Sequence, residues 1–499
     1  MKKTRKLLSP ISILMIVIII AAIATWLVPA GKYNTLVYQD NSFKYNTDSS
    51  DIILPYSQQT LDSLHIFISP EKFSSGAIRK PIAVPGTFHL LPKNQQGPVD
   101  ILKAPLSGIT DAIEIILFVL MIGSFFNVFH QTGAMVKGLT SLSYKMRGKE
   151  SWLIIILTFL FSFGGASFGM AEEALVFYPV LVPLFLSAGY DLLVPVATIF
   201  GGTQLGTLSS FTNPFSTIIA SNAAGVNWTD GLTERIIMFV ISTGISIWYL
   251  VHYAQKVKKD PTKSLVYKID GCIVSPYDTL PTSKEAEPLT SRNKWLLLLF
   301  LSTFLIMIAG VVWFDWWLLE MSALFVASSI VVAIITHSGE KKFIEQFIKG
   351  AEDLLGVAFI IGVARGVTIV LDNGHISDSI LFYSSQLVSG MPPSVFIVVL
   401  LVLFMLFTLF ISSSSGMAVL TMPIIGSLAV IVNVPGREIV NSYLFGMGIM
   451  GFITPTGLIL PSLALVNVSL KTWFRFIYPL MILLFILCAI FLIIGIYLK

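Results

Sequence analysis

The sequence predicts an all-α membrane protein that crosses the bilayer many times and is built as an inverted repeat, with two re-entrant hairpins and two broken transmembrane helices. Three observations lead to this prediction. The chain of 499 residues is 55% hydrophobic and only 12% charged, with a mean hydropathy of +0.82. Its apolar segments are interrupted at four polar stretches. Its two halves share residues at a nearly constant offset.

The composition excludes several functional classes. A soluble protein of this length carries roughly twice this charged fraction, so only a polytopic membrane protein fits. The net charge of +4 is small and gives no reason to expect nucleic-acid binding. The cysteines, Cys272 and Cys488, imply no disulfide framework, and the histidines show no metal-binding spacing. The sequence has no phosphate-binding loop of an ATP-driven pump and no motif of a catalytic nucleophile.

Residues 1–30 are predicted to form the first transmembrane helix. Four basic residues precede an apolar run over residues 11–29, which places the N-terminus in the cytoplasm by the positive-inside rule. The run is longer than the apolar core of a signal peptide and no A-x-A site ends it, so we expect no cleavage. Residues 31–105 form an extracytoplasmic segment of mixed polarity, whose fold the sequence does not predict.

The first repeat covers residues 106–254. It contains a crossing over residues 109–130, a hairpin that enters from the cytoplasm (151–188), a broken helix (191–225) and a return helix. The hairpin arms are shorter than the roughly 20 apolar residues of a spanning helix, which is typical of a re-entrant segment. A lysine-rich cytoplasmic linker follows over residues 255–294.

The second half begins with two scaffold helices over residues 295–338. The second repeat, residues 339–499, is predicted to open with a short amphipathic cytoplasmic helix, followed by a separate crossing over residues 354–371. A hairpin that enters from the outside (393–432) and a broken helix (437–466) come next. The last helix ends the chain outside.

Matching residues predict the internal repeat. The matches have offsets between 241 and 244, and they pair Gly108 with Gly350, Asp111 with Asp353, Pro179 with Pro423, and Pro214 with Pro455. Loop charges place the two hairpins on opposite faces, so the repeat is inverted. Inverted repeats with broken helices bind substrate and coupling ions near the bilayer midplane, between the hairpin tips and the helix breaks.

Glu172 and Glu173 lie at the predicted tip of the first hairpin, among small residues in an apolar region. A charge at the bilayer centre costs about 2.5–3.5 kcal/mol on insertion scales, so these carboxylates need a wet cavity or a cationic partner. We expect them to line a transport site and to bind a cationic group of the substrate. The alternative is a solvated surface loop in which the glutamates mark a membrane boundary.

Hydroxyl and amide side chains occupy the other three interruptions. The candidate substrate contacts are Thr212, Asn213, Ser413, Ser414, Thr454 and Thr456, and the candidate sodium ligands are Ser412, Ser415, Asn213 and Thr454. Oxygen ligands suit a hard cation, and they suit substrate or water equally well. The alternatives are ordinary proline kinks in the broken helices and a polar turn between two short helices at the serines.

Arg365 is a basic residue inside an otherwise apolar crossing. Its guanidinium group has the planar fork that binds a carboxylate, whereas a snorkelling residue lies near the end of its segment. The sequence leaves three interpretations of Arg365 open: it binds a substrate carboxylate, it snorkels outward, or it pairs with Asp372 or with a glutamate at the tip.

Several sequence segments resemble those of a known family. They are GGASFGMAEEALVFYPVLVPL, SSFTNPF, KKDPTKSLVY, VARGVTIVLDNGHISDSI and ISSSSGMAVLTMP, and they cover nearly the whole chain. Together they are similar to the C4-dicarboxylate anaerobic carriers, the YfcC/DcuC family of the ion transporter superfamily, and among these to the YfcC-type members that include arginine/ornithine antiporters. The resemblance implies an inner-membrane transporter with a dimerising scaffold and a moving transport domain.

Family name and site chemistry lead to two hypotheses. Two ionised glutamates at a tip would repel a dianion and attract a guanidinium or ammonium group, which favours a basic amino acid antiporter. The alternative is a sodium- or proton-coupled carrier of C4-dicarboxylates or peptides, in which the glutamates bind the coupling ion. We expect no cofactor beyond that ion. A membrane-embedded enzyme or receptor has no supporting motif.

Overall fold

The computed structural model describes residues 9–47, 50–66, 68–74, 78, 81–145, 148–266, 277, 289–314, 316–388, 390–432 and 434–497. Eight of its helices are long and apolar enough to cross a membrane. This confirms the predicted class of helical, multi-pass membrane protein. The N-terminal basic residues, Cys272 and much of the predicted linker lie outside the described residues.

The helices of the first half are α1 (Pro10–Leu27), α2 (Gln58–Ser63), α3 (Glu71–Ser74), α4 (Pro98–Asp111), α5 (Ile113–His130), α6 (Ala134–Lys145), α7 (Glu150–Ser167), α8 (Tyr178–Ser187), α9 (Leu193–Val196), α10 (Gly202–Leu208), α11 (Ile219–Ala223) and α12 (Leu232–Lys259). A 3-10 helix (Glu172–Phe177) leads into α8. Two π-helical turns, Ala197–Gly201 and Pro214–Ile218, lead into α10 and α11.

The helices of the second half are α13 (Ser291–Phe314), α14 (Leu318–Thr336), α15 (Glu340–Asn373), α16 (Ser377–Val388), α17 (Pro393–Phe410), α18 (Ser414–Ile431), α19 (Gly436–Gly451), α20 (Ile459–Leu465) and α21 (Leu470–Tyr497). Their order repeats that of the first half. Helices α4–α5, α6, the hairpin α7–α8, the broken helix α9–α11 and α12 correspond to α15, α16, the hairpin α17–α18, the broken helix α19–α20 and α21.

The corresponding halves pack against each other in opposite directions. Gly108 of α4 lies against Gly366 of α15, and Gly123 of α5 lies against Gly350 of the same helix. The offset of 242 residues converts one contact into the other to within one residue. Gly108 corresponds to Gly350, and Gly123 corresponds to residue 365, the neighbour of Gly366. Helices α10 and α19 also run antiparallel. This symmetry is what two inverted repeats require.

Both ends of the first hairpin lie at one end of the helix bundle. Glu150, the first residue of α7, forms an ion pair of 3.0 Å with Lys258, and Gly189, just after α8, also lies against Lys258. We call this end, where the linker after α12 begins, the linker face. The opposite end, where the chain leaves α1 and enters α4, is the cap face.

A small β-rich subdomain, which we call the cap, covers residues 31–97 at the cap face. Its strands are β1 (Gly31–Lys32), β2 (Thr35–Gln39), β3 (Ser42–Asn46), β4 (Asp51–Leu54), β5 (Ile82–Ala83) and β6 (His89–Leu90). The main sheet is antiparallel in the order β4-β3-β2-β5, and β1 pairs with β6. Alternation along β2 and β3 buries Leu36 and Phe43 on one side of the sheet.

Two observed elements differ from the sequence-based predictions, and a third prediction stays untested. Helix α4 begins at Pro98, so the predicted limit at residue 105 lies inside a helix. The predicted amphipathic helix and the following crossing form one helix of 34 residues, α15, because no proline or turn interrupts them. Helices α7 and α17 have 18 residues each and are long enough to cross a bilayer, so re-entry of the hairpins stays a prediction.

Candidate functional site

The tip of the first hairpin brings both predicted glutamates to a turn between α7 and α8. Gly169 adopts a left-handed backbone with φ of 81°, and the chain then enters the 3-10 helix at Glu172. The carboxylate of Glu173 accepts a hydrogen bond of 2.9 Å from the backbone N–H of Ala171. Glu173 therefore stabilises the turn itself, while both glutamate side chains keep partial exposure.

Asn213 joins this tip to the break in the first broken helix. Its side-chain N–H donates to the carbonyl oxygen of Gly165 at 3.1 Å. Its side-chain oxygen accepts from the backbone N–H groups of Phe215 and Ser216 at 2.8 and 3.2 Å, which caps the segment after the break. Thr212 donates to the carbonyl oxygen of Ser167 at 3.0 Å. Thr212 and Asn213 thus lie directly beside the hairpin tip.

A Cβ atom at Gly169 would lie 2.8 Å from the Asn213 side-chain oxygen. This close approach and the left-handed backbone explain why glycine stands at this position. Hairpin tip and helix break are therefore one packed unit in the first repeat.

The second hairpin tip and the second break are connected less directly. The hydroxyl of Tyr443 in α19 donates to the carbonyl oxygen of Ser414 at 2.7 Å. Ser413 caps α18 by accepting from the N–H of Gly416 at 3.2 Å. Thr454 donates to Met450 in the preceding helical turn, and Thr456 donates to Leu409 of α17 at 3.4 Å. The hydroxyl groups of Ser413, Thr454 and Thr456 thus have structural partners.

Arg365 pairs with Asp111, which sequence analysis named only as a repeat match and not as an ion-pair partner. Its Nε donates to the carboxylate of Asp111, at the end of α4, in a short ion pair. Sequence analysis had left open Asp372 or a tip glutamate as the partner, and the pairing with Asp111 follows from the antiparallel packing of α4 and α15. Arg365 is 34% exposed and is still close enough to Glu172 to interact with it electrostatically. Arg365 is thus within electrostatic range of both Glu172 and Asp372. We call α4, α5 and α13–α15 the scaffold.

A cavity of about 1070 Å³ opens at the linker face. It lies between α5, α6 and α15 on one side and α8, α20 and α21 on the other. Its polar lining consists of Ser9, Asn127, His130, Gln131, Tyr277, Lys349, Asp353, Asn467, Ser469 and Thr472. Leu175 and Val176, just after the tip glutamates, line the same cavity. None of the predicted site residues lines it, so sequence analysis missed this compartment.

The pseudo-symmetric counterpart of this cavity is almost closed. It is lined by Ser377, Leu381 and Leu420, among others, and its volume is about 10 Å³. These residues correspond, at offsets of 242 to 244, to Met135, Leu139 and Val176, which line the open cavity. The two halves therefore have the same elements in different arrangements, with a wide cleft at the linker face and a nearly closed one at the cap face.

A buried charged network fixes the cap-face end of α12 to α19. Arg235 is fully buried and donates from Nε to the side-chain oxygen of Asn441 at 2.9 Å, and from its other nitrogens to the carbonyl oxygens of Trp228 and Asp230. Asn441 in turn donates to the fully buried Glu438. Sequence analysis missed this network, although charged residues near the start of two apolar segments were its signal.

Among the described residues, no group of three or more His, Cys, Asp and Glu side chains could hold a metal ion. The polar atoms around the two breaks are hydroxyl, amide and carbonyl oxygens. Such a donor set is compatible with an alkali cation and gives no reason to expect a transition metal.

Fold and site define a multi-pass membrane protein with an inverted repeat and an open cleft next to the first hairpin tip. A family model described as the C4-dicarboxylate anaerobic carrier (DcuC) matches residues 7–497, so the chain belongs to this family of membrane transporters. This agrees with the resemblance found in the sequence.

Two relatives match along nearly their whole length. An uncharacterized protein of Haemophilus influenzae is 40% identical over 483 residues, covering 96% of this chain and 94% of that protein. The Escherichia coli protein YfcC, provisionally named a basic amino acid antiporter, is 29% identical over 515 residues, covering 98% and 96%.

Two solved structures align with this chain. They are the YdaH transporter of Alcanivorax borkumensis, with a TM-score of 0.41, 14% identity and coverage of 98% of both chains, and Neisseria gonorrhoeae MtrF, described with a class of antimetabolite efflux pumps, with a TM-score of 0.41, 15% identity and coverage of 99% and 96%.

Proposed function

We propose that this protein is a secondary active transporter that exchanges basic amino acids by alternating access. The observation that carries the proposal is the placement of Glu172 and Glu173 at the hairpin tip, next to the helix break at Asn213 and within electrostatic range of Arg365. An amino acid with a cationic side chain has groups for both kinds of charge. Its guanidinium or ammonium group would bind the glutamates, and its carboxylate would bind Arg365.

The pairing of Arg365 with Asp111 is compatible with this role. Asp111 contacts Nε, and it is the ion-pair partner of Arg365 among the described residues. The terminal nitrogens of the guanidinium group then form the edge that binds a carboxylate in a bidentate way. Asp111 would orient this edge toward the substrate carboxylate.

The membrane and the orientation are part of the proposal. By the positive-inside rule, the N-terminal basic cluster supports a cytoplasmic linker face, in a transporter of the inner membrane. The open cavity at the linker face would then be the cytoplasmic release path. A homodimer, in which the scaffold helices form the interface, completes the expected assembly.

Counterflow in proteoliposomes tests the substrate. Vesicles loaded with unlabelled arginine should accumulate labelled arginine, and external ornithine or lysine should block this accumulation while succinate and fumarate should not. Glu172→Gln and Glu173→Gln should abolish accumulation, and Glu345→Gln, at an exposed position of α15, is the matched control that should leave it intact. Unchanged arginine counterflow in both tip variants would refute the assigned role of the glutamates.

The description of the family favours a second candidate, a sodium- or proton-coupled carrier of C4-dicarboxylates or peptides. In this case the glutamates would bind the coupling ion, and the oxygens of Asn213 and Thr454 with those of Ser412 and Ser415 would bind sodium. Succinate uptake that requires a sodium or proton gradient, in vesicles that show no arginine counterflow, would establish this candidate and exclude the first.

A further inference from the structure

The cap has its own apolar core, and two side chains of the helix bundle complete it. Leu36, Phe43 and Ile82 are fully buried inside the cap. Val419 of α18 belongs to the same cluster and is only 5% exposed, and Ile219 at the start of α11 packs against it. The cap is therefore not a separate domain on a tether, since its core is completed by the transport elements.

These contacts reach deep along the helices. Val419 is five residues beyond Ser414, the first residue of α18 at the second hairpin tip, which is about 8 Å along the helix axis. Ile219 is six residues beyond Asn213 at the first helix break. The cap thus touches both elements close to the candidate site, well inside their outer ends.

The root of the cap is attached elsewhere, and by polar contacts. The N–H of Gly31 donates to the carbonyl oxygen of His375 at 2.8 Å, and the N–H of Tyr33 donates to the carboxylate of Asp378 at 2.9 Å. Phe88 stacks on Phe382 of α16 with ring centroids 4.0 Å apart. The root therefore rests on the end of α15 and on α16, beside the scaffold contact of α15 with α4 and α5.

The pseudo-symmetric position of Val419 lines a cavity and has no cap over it. Leu175 corresponds to Val419 at the offset of 244 that also relates Pro179 to Pro423, and Leu175 lines the open cavity at the linker face. The cap therefore covers, at the cap face, the surface that forms the vestibule at the linker face. Its apolar contact has no directional bonds, so it can separate and re-form more easily than the hydrogen-bonded root.

We propose that the apolar tip of the cap, formed by Leu36, Phe43 and Ile82, is a latch that keeps the second hairpin closed at the cap face. Each transport cycle must then release Val419 and Ile219 from this latch. The proposal rests on the proposed function in one respect, because alternating access requires α18 to move relative to the scaffold on which the root of the cap rests. The latch is specific to one face, since the described residues at the linker face carry no such subdomain.

Cross-linking in a background of Cys272→Ala and Cys488→Ala tests the latch. Ile82→Cys with Val419→Cys joins the tip of the cap to α18, and Phe88→Cys with Phe382→Cys joins the root to α16 as the matched control. The tip cross-link should abolish counterflow of the transported substrate until reductant is added, and the root cross-link should not. Undiminished counterflow in fully tip-linked protein would overturn the proposal.

A second readout separates the latch from the substrate assignment. Leu381→Cys reports opening of the closed cleft at the cap face through its reaction with a maleimide, whatever the substrate is. Val419→Ala removes two buried methyl groups, which should raise this labelling by about tenfold, and the tip cross-link should suppress it. Labelling that ignores both changes would refute the latch, and labelling that follows them would support it even if arginine is not transported.

Discussion

The cleft at the linker face and its counterpart at the cap face are built from corresponding helices, yet one holds about 1070 Å³ and the other about 10 Å³. Local sequence does not explain the difference, because both clefts lie between the same kinds of elements. The difference lies in how the hairpins and broken helices sit against the scaffold. An inverted repeat in which one cleft is open and the other closed is the arrangement that alternating access requires.

The largest expected effect is a difference in accessibility between corresponding positions. In the background without native cysteines, Leu139→Cys should react with a maleimide faster than Leu381→Cys, because Leu139 is 8% exposed and lines the open cavity, whereas Leu381 is 1% exposed. Labelling of the purified protein followed by mass spectrometry measures this. Both positions should label after denaturation, and equal labelling of the native protein would contradict the asymmetry.

The cap face is also the more firmly held side of α12, because buried charged residues fix that end of the helix to α19. Arg235→Met should lower the free energy of unfolding by about 3–5 kcal/mol, because the side-chain oxygen of Asn441 and the carbonyl oxygens of Trp228 and Asp230 would lose their charged donor. The thermal midpoint in detergent measures the loss. Arg475→Met, at an exposed position of α21, is the control and should change little. A normal midpoint for Arg235→Met would mean that the network does not hold α12 to α19.

The scaffold contact that relates the two halves should tolerate no side chain. Gly350→Val should cost about 1–3 kcal/mol, because the new methyl groups would meet the backbone of Gly123 and Ser124. Gly356→Val, in the same helix but with open space around it, is the control for the intrinsic effect of valine. Similar thermal midpoints for both variants would argue against a close helix contact at Gly350.

The smallest effect on stability is expected at Arg365. Its ion pair with Asp111 is 34% and 47% exposed, so Arg365→Gln should cost only about 0.2–1 kcal/mol. Counterflow should nevertheless be lost if the guanidinium group binds the substrate carboxylate, while Asp111→Asn should retain part of it with a higher KM. Equal losses of stability and transport in both variants would instead assign the pair a structural role.

The sequence predicted the elements whose signals are local. The breaks at Asn213-Pro214 and Thr454-Pro455 stand out because a proline follows a polar residue inside an apolar run, and the structure has helix ends at both places. The short helices α6 and α16 and the strands of the cap were not predicted. They are too short or too mixed in polarity to show a clear periodicity.

The interaction partners of the candidate residues could not be predicted from local signals. Arg365 was singled out correctly as an unusual residue, but its partner Asp111 is 254 positions away. Arg235 and Asn441 are 206 positions apart, and neither was recognised as part of a network. Pairing over such separations depends on how the two repeats dock, which single-sequence patterns do not contain.

What the sequence by itself determined is the class of protein, the inverted repeat and the places where helices are interrupted, because composition, loop charge and proline act on the nearest residues. Only the tertiary structure decided which cleft is open, that Val419 and Ile219 lie under the cap, and that Asp111 holds Arg365. Each of these depends on contacts between distant segments, where packing of one repeat against the other selects one of two arrangements that the same local elements allow.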